Sequence, residues 1–115
     1  MPRPCKRRRI CGMPKASGFA PSGCAPTCIE QDAVIMTLDE FETIRLIDYE
    51  NMTQEECAAS MDVARTTVQA IYNNARKKTA RALCDCLELK IQGGDYVLCE
   101  GKKGGCKCRR CMKGE

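Results

Sequence analysis

Hydrophobic positions change period several times between residues 33 and 99. Ala33-Val-Ile-Met36 is a short apolar run of strand type. Leu38, Phe41, Ile44 and Ile47 then recur at helical spacing. Thr37-Leu-Asp-Glu40 opens that stretch with a capping-box pattern, Thr as N-cap and Glu at the third helical position, so the first helix is predicted over 38–49. Thr53-Gln-Glu-Glu56 is a second capping box and predicts a short helix through about Ser60. Met61-Asp-Val63 forms a turn, and a long helix follows over about 64–83 with Val68, Tyr72, Ala75 and Thr79 along one stripe. Leu87 to Cys99 predicts a β-hairpin with Gly93-Gly94 as its two-residue loop. In that register Ile91 faces Tyr96 and Leu89 faces Leu98, all on one side with Leu87. Glu88, Lys90, Gln92 and Asp95 lie on the other.

Punctuation sets the boundaries of this ordered part. All five prolines lie at or before Pro26, and no glycine occurs between Gly23 and Gly93. Residues 1–32 therefore form an irregular Pro/Cys-rich arm, 33–86 the helical domain, 87–100 the hairpin and 101–115 a basic Cys-rich tail. The expected fold class is mainly α, three helices in a helix-turn-helix domain with a small C-terminal hairpin and irregular tails. A chain of 115 residues has room for one such domain.

Charge is segregated. Residues 1–15 carry Arg3, Lys6, Arg7, Arg8, Arg9 and Lys15 without an acid, and residues 65–81 carry Arg65, Arg76, Lys77, Lys78 and Arg81 without one. Residues 30–56 hold nine acids against Arg45 alone, and the last fifteen residues are basic again. Such blocks suit a polyanionic partner. Opposite the apolar stripe of the long helix stand Thr66, Gln69, Asn73 and Arg76, with Lys77 beside them. Amides, hydroxyls and guanidinium groups on one exposed face can reach base edges and phosphates. A short helix, a three-residue turn and a longer helix are the layout of a helix-turn-helix.

The stretch Leu38 to Leu83 resembles region four of bacterial sigma factors, the module that reads the −35 promoter element. The matching residues are Asp39-Glu-Phe-Glu42, Arg45-Leu46, Thr53-Gln-Glu-Glu56, Ala58, Met61-Asp-Val63, Arg65, Thr67-Val68 and Ala75-Arg-Lys-Lys78. Residues 1–99 are more similar still to a small uncharacterised prokaryotic family held to bind DNA. Its hallmarks stand here as Met1-Pro-Arg-Pro4, Phe19, Pro21, Gly23, the helix-turn-helix and Ile91-Gln-Gly-Gly-Asp-Tyr96. Two positions depart from the pattern. Ala64 replaces the usual Ser cap of the long helix, forgoing a hydrogen bond worth ~1 kcal/mol. Asp62 stands where the turn often has Gly.

The resemblance implies a sequence-specific reader of double-stranded DNA acting in transcription regulation, with a protein of the transcription machinery as a further partner. Arg65, Thr66, Gln69 and Asn73 would approach the major groove, and Arg76, Lys77 and Lys78 the phosphates. Arg7, Arg8 and Arg9 of the arm would enter the minor groove or follow the backbone. A homodimer is expected, because readers of this type place two recognition helices one DNA turn apart. Residues 33–36, from the same chain or from a partner, are the local strand that would pair with the hairpin, and sharing them across a two-fold axis would close both of its edges.

The 11 cysteines and the absence of His add a second chemistry. Cys106-x-Cys108-x-x-Cys111 places three thiols in a basic tail, where neighbouring positive charge favours thiolate, the metal-ligating form. Cys99 is nearest in sequence as a fourth ligand, and Cys5, Cys11, Cys24 and Cys28 could also serve. An all-thiolate site suits Zn²⁺ or an iron–sulfur cluster. Cys24-x-x-x-Cys28 with Cys11 or Cys5 is a weaker second candidate, and Cys57 and Cys84 are expected to be buried apolar side chains. A competing reading is a metal- or cluster-handling protein whose helix-turn-helix docks another protein. An enzyme is not expected: there is no His, no phosphate-binding Gly loop before a helix and no paired carboxylates in an evident cleft. No apolar stretch is long enough to span a bilayer and no hydrophobic signal region follows the basic start, so a cytoplasmic location is expected.

Overall fold

The computed structural model describes residues 8–23, 33–94 and 96–98. Three helices form the body, and short strands from both ends of the sequence wrap them. Strand β1 spans Arg8–Ile10, β2 Gly18–Phe19, β3 Val34–Met36, β4 Leu89–Ile91 and β5 Tyr96–Leu98. Helix α1 spans Leu38–Ile44 and continues as a π-helical turn over Arg45–Tyr49. Helix α2 is Gln54–Met61 and α3 is Arg65–Cys84. Among the described residues, no helix is long and apolar enough to cross a membrane.

Local chemistry accounts for the helix boundaries. Both capping boxes form: the Glu40 carboxylate accepts from the Thr37 N–H at 2.9 Å, and that of Glu56 from the Thr53 N–H at 3.0 Å. Asp62 ends α2 in the left-handed region, with φ 58° and ψ 46°. An Asp adopts that geometry at lower cost than most residues, so the turn forms without glycine. Helix α3 starts at Ala64 without a side-chain cap. The first helix keeps its expected length, but its last turn widens. The Glu50 N–H bonds the Arg45 carbonyl five residues back at 2.9 Å, which lets the Glu50 carboxylate reach the Arg45 guanidinium.

The core lies between the helices. Leu46, Cys57, Ala58, Met61 and Val68 join α1, α2 and α3 in one buried cluster. Burial and the neighbouring Glu42 carboxylate push the Cys57 thiol up to about 12, so it packs as a neutral apolar group. Glu42, 1% exposed, is held by Arg45 through two hydrogen bonds of 2.8 and 2.9 Å and by the Cys11 N–H at 2.8 Å. A carboxylate can be buried so deeply because these three partners are all donors aimed at it.

The expected hairpin does not form. Strand β4 lies between two other strands, antiparallel to β2 and parallel to β3, with Val34 opposite Leu89 and Met36 opposite Ile91. Both of its edges are occupied: Ile91 N–H bonds the Ser17 carbonyl at 2.8 Å, and Gln92 N–H bonds that of Met36 at 2.9 Å. Gly93 and Gly94, at φ +79° and +94°, instead carry the chain away. The Gly93 carbonyl accepts the Leu38 N–H at 3.0 Å. Strand β5 pairs in parallel with β1 in a separate two-stranded sheet, Ile10 opposite Leu98. Ile91 and Tyr96 still meet, but as side chains in a cluster with Ile10, Leu38 and Phe41.

Two further expectations change, and one is met in one of its two forms. Residues 8–10 and 18–19 are strands inside the stretch expected to be irregular, because the two sheets need them as partners. Val34–Met36 is a strand as expected and pairs with β4 within its own chain, the same-chain form of the expected pairing. Cys84 is exposed rather than buried. It lies eighteen residues, five whole turns, beyond Thr66 and therefore shares that residue's outward face.

Candidate nucleic-acid interface

Helix α3 carries the candidate site because its two sides are so unlike. Val68, Ile71, Tyr72, Ala75 and Ala82 are buried against α1, α2 and the strands. Arg65, Thr66, Gln69, Asn73, Arg76 and Lys77 are all exposed, and none of α3's residues is acidic. The Arg65, Thr66, Gln69, Asn73 and Lys77 side chains make no hydrogen bond or ion pair within the described residues. The fold therefore brings six of the ten candidate DNA-contacting residues to one face with their donors and acceptors free.

Arg76 is the one member of that face with an intramolecular contact. Its guanidinium lies 5.5 Å from the centre of the Tyr72 ring, a cation–π arrangement. The ring is fixed in turn, because Tyr72 Oη donates to Asp48 Oδ1 at 2.7 Å. Burial and that hydrogen bond raise the phenol's pKa, keeping Tyr72 a neutral donor. Sequence reading missed this arrangement. Tyr72 and Arg76 share a helical spacing that signals it, but Asp48 is 24 residues away and only the packing of α1 on α3 joins them.

The other candidates are drawn into the fold. Lys78 Nζ donates to Glu40 Oε1 at 2.7 Å, tying α3 to the start of α1. Arg9 donates to the Ser60 and Ala59 carbonyls at 2.8 and 3.0 Å, capping the end of α2. Arg8 Nε stands 3.8 Å from Asp39 Oδ2, at the start of α1. Arg7 lies outside the described residues, as do Cys99, Cys106, Cys108 and Cys111 of the candidate metal site. Of the alternative ligands, Cys11 is described and half-buried, while Cys5, Cys24 and Cys28 lie outside. Among the described residues, no group of three His, Cys, Asp or Glu is placed to hold a metal ion.

One flank of the exposed face falls into a cleft of about 500 Å³ between α1 and α3. Thr66 and Asn74 stand on its α3 side, and Arg8, Asp39 and Glu40 face them. Asp39 is paired with Arg8 and Glu40 with Lys78, so both cations beside this flank are already engaged by carboxylates. A polyanion would therefore be held from the ends of the face, by Arg65 at the first turn and by Arg76 and Lys77 three turns on.

The chain matches the family model described as protein of unknown function DUF134 over residues 1–99. It is 53% identical over 106 residues to a UPF0251 protein of Desulfitobacterium hafniense, covering 92% of this chain and 83% of the relative. It is 43% identical over 111 residues to one of Halothermothrix orenii, covering 96% and 78%. With one of Caldicellulosiruptor bescii the identity is 41% over 115 residues, covering 98% and 75%. No solved structure matches the chain.

Proposed function

The chain belongs to the DUF134 family, shared with the UPF0251 proteins, and from that premise we propose that it is a sequence-specific double-stranded-DNA-binding protein acting as a transcriptional regulator. In this reading α2, the turn at Asp62 and α3 are a helix-turn-helix of the sigma region-four kind, and α3 lies in the major groove. The observation that carries it is the acid-free outward face of α3, where Arg65, Thr66, Gln69, Asn73 and Lys77 have no hydrogen-bond or ion-pair partner among the described residues. Arg65, Thr66, Gln69 and Asn73 approach the bases, and Arg76 and Lys77 neutralise phosphates. The activity is binding, with no chemical step.

Fluorescence anisotropy with duplex genomic fragments, titrated with salt, tests this reading. Binding at low ionic strength that weakens linearly in log salt is the expected result, because each neutralised phosphate releases counterions. Absence of any salt-dependent binding overturns it and leaves α3 as a protein-docking face.

Two further parts of the reading have their own tests. Cys106, Cys108 and Cys111, with Cys99 or another thiol, hold Zn²⁺ or an iron–sulfur cluster that makes the regulator metal- or redox-responsive. Protein purified without oxygen then carries zinc or iron, and Cys108→Ser loses most of it. The working unit is a homodimer on two half-sites. Light scattering at micromolar concentration should give twice the 12.8 kDa chain mass, and the chain mass alone with and without DNA overturns the dimer.

A further inference from the structure

We infer that the centre of the α3 face reads adenine–thymine base pairs, with Gln69 and Asn73 each taking an adenine and Thr66 a thymine methyl. This rests on the DNA-binding reading above and adds to it the chemical identity of the bases.

The placement of side-chain types along α3 carries the argument. Successive residues turn by 100°, so Thr66, Gln69 and Asn73 fall within a sector about 60° wide on the exposed side of the helix, away from the buried stripe. Arg65 stands at one end of the face, and Arg76 and Lys77 stand at the other. The central positions of α3 itself thus hold two primary amides and a hydroxyl-methyl group; Arg8, Asp39 and Glu40 face Thr66 only from across the cleft.

Base edges in the major groove differ in what they ask for. Guanine offers two acceptors and is read by Arg or Lys, while cytosine offers an amino donor and is read by Asp or Glu. Neither group is present at the centre. Adenine offers an acceptor at N7 and a donor at N6, side by side. A primary amide matches both at once through its N–H and its C=O. Thr adds a methyl that packs on the thymine C5-methyl, a group that no other pair presents.

That match requires amides that are free, and they are. Gln69 and Asn73 are exposed and make no hydrogen bond within the described residues. Threonines that serve the fold look different: Thr43 is fully buried and donates to the Glu40 carbonyl, and Thr79 donates to the Ala75 carbonyl at 2.9 Å. Gln69 and Asn73 are four residues apart, about 6 Å along the axis at 1.5 Å per residue. With base pairs spaced ~3.4 Å, the two adenines fall within about two base-pair steps of each other.

Selection of bound duplexes from a random library by the full chain tests this directly. Two A·T pairs within two steps should be fixed, and replacing either with G·C should weaken binding roughly 5- to 150-fold. Substituting 7-deazaadenine keeps Watson–Crick pairing but removes the N7 acceptor, and should weaken binding at the same positions. Gln69→Ala and Asn73→Ala should each lose the preference at one pair and become insensitive to 7-deazaadenine there. Both sites are exposed, so unchanged melting confirms that the variants fold. Fixed G·C pairs, or an A·T preference that survives both substitutions, overturns the readout while leaving DNA binding in place. Failure of every sequence to be retained at low salt overturns the DNA-binding reading itself, and this inference with it.

Discussion

Arg9 in β1 and Lys77 in α3 carry the same charge, and each belongs to a stretch of sequence rich in bases and free of acids. The fold treats them in opposite ways. Arg9 closes the end of α2 by donating to two carbonyls, while Lys77 stands exposed with no partner among the described residues. The same division runs through the other cations. Arg8 and Lys78 lie against the acidic start of α1, and Arg45 is enclosed by Glu42 and Glu50. Arg65 and Arg76 face outward. Among the described residues, Asp39 and Glu40 of the acidic block thus act as internal counter-charges for Arg8 and Lys78, while Arg65, Arg76 and Lys77 stand on the exposed side of α3. A cluster of like charges in sequence becomes an interface only where the fold supplies no acceptor for it.

The largest effect that would sharpen this division is expected at Arg45. Among the described residues, Arg45→Ala leaves the Glu42 carboxylate, 1% exposed, with the Cys11 N–H as its one donor. Breaking one partner out of a buried pair typically costs about 3–5 kcal/mol, to be read as a lowered urea midpoint. A loss below about 1 kcal/mol would mean that the pair is effectively solvated.

Arg9→Ala is next. Losing charged hydrogen bonds to the Ala59 and Ser60 carbonyls should lower stability by roughly 1.5–3 kcal/mol. The salt dependence of DNA binding should not change. Unaltered melting together with a reduced salt slope would move Arg9 from the fold to the interface and break the comparison.

Cys57, beneath the Glu42–Arg45 pair, gives a pH test of the same region. Its thiol is held up to about 12 in the folded chain against an ordinary 9.0. The native state therefore keeps its proton where the unfolded chain has lost it. Stability is complete below the unfolded value and declines as pH rises from there toward the folded one. The decline should reach roughly 1 kcal/mol by about pH 10 and disappear in Cys57→Ala. In native protein the exposed Cys84 should alkylate readily and Cys57 should not.

The smallest change in stability belongs to the outward face. Lys77→Ala should alter unfolding by no more than about 0.5 kcal/mol. It should weaken binding to all duplexes alike and lower the salt slope by roughly one unit. A destabilised Lys77→Ala with an unchanged slope would show that this lysine, like Lys78, serves the fold.

Much of the helical part was legible in advance because its signals are local. A capping box, a 3.6-residue apolar period and a turn residue tolerant of left-handed geometry all act within a few positions. Thr37, Thr53 and Asp62 do what their neighbours in sequence imply. The polar face of α3 follows from the same periodicity, which is why Thr66, Gln69, Asn73 and Lys77 were identifiable. Apolar character placed Cys84 inside, whereas the same periodicity sets it five turns beyond Thr66 on the outward face, where it stands.

Strand partners and charge partners were decided only by the tertiary structure. Alternation along Leu87–Leu98 says which side chains of each strand point together, but it is indifferent to which neighbour supplies the hydrogen bonds. A Gly-Gly loop between two apolar runs suggested the nearer strand, whereas β2 and β3 occupy both edges of β4 and β5 pairs with β1. The fates of Arg9 and Lys78 depend likewise on acceptors 51 and 38 residues away. Helix caps and faces are set by interactions within a few residues, so this sequence determined them by itself. Strand pairing and the neutralisation of a particular cation depend on groups distant along the chain, and those meet only when the whole chain packs.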